Sequence, residues 1–104
     1  MMTTSAQITT RRFDMVNYLH NQEDIVEYLK VSFETGDEKQ IVRALAQAAR
    51  AQGLLKTATK TGLNRQNLYK TLIYHEGNPT LHTLNKLIQS FGCSLSVQKL
   101  KKAA

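Results

Sequence analysis

The stretch Leu54–Leu72, LLKTATKTGLNRQNLYKTL, decides how the chain is read. Ala58 stands four residues before Gly62. Two helices that cross at close range need a small side chain at the crossing, and the turn between them favours a residue tolerant of positive φ. Leu63 enters the core from the turn and Asn64 suits an N-cap. Leu68 and Leu72, four apart, then turn one side of the second helix inward. Arg65, Gln66, Asn67, Tyr69 and Lys70 make up its other side. The pattern predicts a short helix over about Leu55–Thr61, a tight turn, and a polar helix that starts at Asn64. That is the layout of a DNA-reading helix-turn-helix, spanning 54–74.

Upstream, Asn21 followed by Asp24 reads as an N-cap with an acid in the first turn. Ile25, Leu29 and Phe33 recur at four-residue spacing in a helix that should end at Gly36. Asp37 with Gln40 resembles a capping box, and Ile41, Leu45, Ala48 and Ala49 form the buried stripe of a second helix, closed by a left-handed Gly53. Before these, Phe13–Leu19 alternates weakly and is expected as an extended arm packed on the domain, within a partly extended or flexible segment 1–20.

Downstream, Tyr74-His75-Glu76-Gly77-Asn78-Pro79 reads as a loop. Thr80 caps a fifth helix whose Leu81, Leu84, Leu87, Ile88 and Phe91 recur with the 3.6-residue period, and Gly92 stops it. Leu95, Val97 and Leu100 with interleaved polar residues suggest a short strand, which needs a partner because a lone strand is unstable. A basic tail occupies 99–104. The expectation is an all-α, five-helix domain over 21–98 with an N-terminal arm and a short C-terminal strand.

A chain of 104 residues makes one domain. With 41% hydrophobic residues and a single proline it has the composition of a folded soluble protein. No run approaches a membrane span, and the first residues, MMTTSAQITTRR, contain no apolar core of a secretory signal, so a cytoplasmic protein is expected. Cys93 is the only cysteine and is read as a small buried apolar side chain. His20, His75 and His82 are scattered, so no metal site and no cofactor are expected. No paired-carboxylate, Ser-His-Asp or glycine-rich phosphate signature points to an enzyme.

Charge is divided unevenly. Residues 1–38 hold three basic and seven acidic side chains, a net −4, whereas 39–104 hold eleven Lys and Arg against Glu76, a net +10. A block so depleted in acids attracts polyphosphate, since each phosphate contact releases condensed counterions.

Tyr28-Leu29, Ala44-Leu45, Ala48, Gly53, Ala58, Gly62-Leu63, Leu68-Tyr69 and Leu72 carry a family resemblance, sharpest at Gly77-Asn78-Pro79-Thr80-Leu81 with Thr83-Leu84 and Gly92. Over about residues 13–98 the chain resembles the addiction-module antidotes, small HigA-like antitoxins with a lambda-repressor-like (Xre/Cro-type) helix-turn-helix. The resemblance implies a toxin partner similar to the RelE/ParE fold, repression of the chain's own operon, and a homodimer. The alternative is a stand-alone or prophage repressor without a toxin. Thr57 stands where the family usually has a large apolar residue, which should weaken the third helix's core, and Lys60 where it often has an acid.

Arg65, Gln66 and Asn67 are the expected base readers: Arg suits guanine O6/N7, and Gln and Asn suit adenine N6/N7. Lys56, Lys60 and Lys70 suit phosphates. Tyr69 serves either as a phosphate or sugar contact or as a half-buried packing residue. A monomer reads about four base pairs, so a two-fold dimer through helix five and the C-terminal segment is expected on a palindromic double-stranded operator. A basic toxin would be drawn to Glu23, Asp24, Glu27 and Glu34, although acids near a helix start also serve its macrodipole.

Overall fold

The computed structural model describes residues 14–73 and 79–100. The first thirteen residues of the expected arm, the loop 74–78 with Gly77 and Asn78, and the tail from 101 onward lie outside them. Every regular element among the described residues is helical. A 3-10 turn at Met15–Tyr18 precedes α1 (Gln22–Glu34), α2 (Glu38–Gln52), α3 (Leu54–Thr61), α4 (Arg65–Leu68, continued by a π turn at Tyr69–Ile73) and α5 (Leu81–Ser90).

Local chemistry sets the helix starts. The Asn21 side chain accepts from Asp24 N at 2.9 Å, while the Asp24 carboxylate accepts from His20 N at 2.9 Å, so two unpaired donors are satisfied reciprocally. Asp37 caps α2 by accepting from Lys39 N at 3.0 Å. The backbone N–H of Asp37 donates to Thr35 Oγ1 instead of the Gln40 side chain that a capping box implies. Thr80 caps α5 through Thr83 N at 3.1 Å.

The core centres on α2, whose Ala44, Leu45, Ala48 and Ala49 are fully buried. Alanines on this face let α1, α3 and the π turn approach closely, and Leu29, Leu72, Leu87 and Phe91 fill the interior. Burial raises the Tyr28 phenol above its ordinary pKa, against the lowering effects of its Ser32 hydrogen bond and nearby Arg43.

Five expectations are corrected. No strand forms among the described residues, and Leu95–Leu100 is irregular. The stretch expected to run extended upstream is a 3-10 turn, capped by Asp14 accepting from Val16 N at 3.1 Å, and so offers no edge to pair with. The arm's packing holds at Leu19, which is buried, while Asp14 and Arg50 make an exposed ion pair of 3.4 Å that contributes little. Leu81 is 73% exposed, because at the first position of α5 its side chain leans past the end of the packed region. Phe33 is only half-buried, with Ser32 occupying the buried position beside it. Gly53 has positive φ but lies outside the left-handed helical well, at φ 106° and ψ 123°, because it must end α2 and begin α3 at once.

Candidate functional site

The segment from α3 to α4 is built around two threonines. Thr57 is fully buried, and its hydroxyl donates to Gly53 O at 2.8 Å while accepting from Gln52 Nε2 at 2.8 Å. Thr61, one turn on, donates to Thr57 O at 2.8 Å and accepts from Leu63 N at 3.2 Å, which fixes the chain as it leaves the helix. Thr57 therefore does not leave the core of α3 open. Its polar atom is satisfied internally, and a buried polar group is costly only when unpaired.

The turn follows from Gly62, at φ 71° and ψ 10°, whose N–H donates to Ala58 O at 2.9 Å. A side chain at that φ is strained by its own carbonyl, whereas glycine adopts it freely. Asn64 then starts α4, accepting from Gln66 N at 2.8 Å and Asn67 N at 3.3 Å. Leu68 and Leu72 are 2% and 1% exposed, so the polar face of α4 points outward.

The α-helical part of α4 is a single turn, Arg65–Leu68, shorter than the sequence predicts; the chain continues through the wider π turn. Arg65, Gln66 and Asn67 are all exposed on that first turn, and Lys70 is exposed on the next. Tyr69 is half-buried and packs against the core. Lys56 and Lys60 are exposed on α3, four residues apart. Base-reading and phosphate candidates thus share one helix pair.

The acidic candidates lie on a different element. Glu23, Glu27 and Glu34 are exposed on α1, whereas the Asp24 carboxylate is engaged by His20 N. Cys93 is half-buried, and burial pushes its thiol pKa up. No three His, Cys, Asp or Glu side chains gather to hold a metal among the described residues. No helix there is long and apolar enough to cross a membrane.

Sequence reasoning missed two groups. Gln52 Nε2 lies 3.5 Å from Ser90 Oγ, and Ser90 donates to Leu87 O at 2.7 Å, so the polar network of Thr57 reaches α5. The threonine repeat at helical spacing was the available signal for its α3 half. Lys86, half-buried on α5, lines a cleft with Gln22 and Lys60. Nothing in the sequence joins residues so far apart.

A family model described as "Probable addiction module antidote protein" matches residues 9–99. A relative from Haemophilus influenzae strain Rd, described as an uncharacterized protein, is 32% identical over 91 residues, covering 88% of this chain and 93% of its own. No solved structure matches the chain. With nearly its whole length matched, the chain belongs to the family of probable addiction module antidote proteins.

Proposed function

We propose that the protein is the antitoxin of a type II toxin–antitoxin module, which neutralises a toxin of RelE/ParE-like fold and represses its own operon. Membership of an antidote family implies a cognate toxin. The DNA-binding half of the reading rests on one observation: a left-handed turn at Gly62 and an Asn64 cap present Arg65, Gln66 and Asn67 outward while Leu68 and Leu72 anchor their helix. As a helix-turn-helix, α4 enters the major groove by its first turn, with bases read by those three residues and phosphates met by Lys56, Lys60 and Lys70.

Two copies joined through α5 and the C-terminal segment would present their α4 helices to half-sites roughly 34 Å apart. The exposed Glu23, Glu27 and Glu34 on α1 offer a basic toxin a surface away from α4. The protein acts in the cytoplasm and catalyses no reaction of its own.

The test combines two measurements. Co-expression with the product of the adjacent gene, followed by pull-down, is expected to recover a complex. Arg65→Ala with Gln66→Ala is expected to abolish binding to DNA upstream of the gene, each lost bidentate contact costing about 1–3 kcal/mol, while circular dichroism and toxin capture stay unchanged. Unaltered DNA binding by that variant would reject the base-reading assignment, and absence of any complex would leave a repressor without a toxin.

A further inference from the structure

Two adjoining clefts, both lined by Gln22 and Lys60, make up a groove where the start of α1 meets the α2–α3 joint and α5. Lys56, Lys60 and Lys86 all line it, and no Asp or Glu does. Among the described residues the only ion pair is Arg50–Asp14, so these three ammonium groups have no carboxylate partner there. Lys56 and Lys60 are one helical turn apart, a spacing at which like charges repel, and Lys86 adds a third from α5. A cleft lined by one sign of charge concentrates its field and draws counter-ions of the other.

The groove is mainly polar. Gln22, Gln52 and Gln89 contribute amides to its walls, and of its apolar members Leu19 and Ile25 are buried at 7% exposure each while Ala51 is half-buried. An acidic peptide would need apolar pockets between the charges to hold its other side chains, whereas a phosphodiester backbone needs cations and hydrogen-bond donors alone. We propose that this groove seats the phosphate backbone of double-stranded DNA, with Lys86 on α5 a phosphate contact alongside Lys56 and Lys60. The proposal rests on the DNA-binding reading above and extends it beyond the α3–α4 pair. Gln22 makes the groove possible: its Nε2 donates to Phe91 O at 3.1 Å and ties the start of α1 to the end of α5.

The experiment measures binding of the full chain to two fluorescent duplexes, the DNA upstream of its own gene and an unrelated sequence, across a salt series. Lys60→Ala with Lys86→Ala is expected to weaken both duplexes by a similar factor and to flatten the slope of log K against log[salt] by about 1.8, or 0.9 per lost phosphate. Arg65→Ala is expected to act selectively on the upstream DNA. Lys86→Gln alone, with circular dichroism unchanged, should flatten the slope by about 0.9, which separates loss of charge from loss of fold. A slope equal to wild type in the double variant overturns the groove while leaving the α4 reading intact. Unchanged DNA binding with weakened toxin capture overturns it in favour of a protein-docking groove, and a wild-type chain that binds neither duplex ends both readings.

Discussion

The α3–turn–α4 segment and the stretch from Cys93 to Leu100 contain similar proportions of leucine and polar residue, yet they end up in opposite states. In the first, Thr57, Thr61, Gly62 and Asn64 each satisfy a neighbouring backbone group, and Leu68 and Leu72 are sealed in the core. In the second, Cys93 N donates to Ile88 O at 3.0 Å, and no residue from 94 to 100 makes a hydrogen bond among the described residues. Val97 is 97% exposed and Leu100 75%. An apolar pattern becomes structure only where the backbone it rides on has partners. A helix finds them within itself, and a strand must find them elsewhere.

The largest blow to the ordered side is Leu68→Ala. Emptying a 2%-exposed leucine site beneath α4 is expected to cost about 2–5 kcal/mol, read as a lower chemical-denaturation midpoint at unchanged slope. A loss below 1 kcal/mol would mean that α4 is not anchored through this residue.

Thr57→Val keeps the shape of the side chain and removes its hydroxyl, so Gln52 Nε2 loses its 2.8 Å acceptor. The expected cost is about 1–2 kcal/mol, again by denaturation. A neutral result would show that the network of Gln52, Thr57 and Ser90 contributes packing and no polar stabilisation.

On the other side of the comparison, Val97→Ser removes a side chain that touches almost nothing in the single chain. The melt of the dilute protein is expected to shift by no more than about 0.5 kcal/mol. Sedimentation at micromolar concentration then sharpens the point: if two copies pair through this segment, the same substitution shifts association toward monomer.

The legible part of the molecule was the part governed by local rules. Asn21, Asp37, Asn64 and Thr80 cap helices as their residue types imply, and Gly62 turns the chain where its spacing implies. The strand failed because alternation at Leu95, Val97 and Leu100 specifies a face without specifying a partner. Leu81 failed because periodicity cannot say where a neighbouring helix stops. The groove of Lys56, Lys60 and Lys86 was invisible for a related reason: it is made by residues from three elements, brought together through contacts such as that of Gln22 with Phe91.

Gly53 carries a consequence for how this chain tolerates change in length. It closes α2 and opens α3 with no other residue between them, its N–H bonded to Ala49 O and its carbonyl to Thr57 N. A one-residue insertion within α3 just after this joint would turn the rest of that helix by about 100° about its axis, carrying Ala58 off the crossing and Gly62 off the turn. In lineages of this family, length should therefore vary at the ends of the chain and stay fixed across this joint.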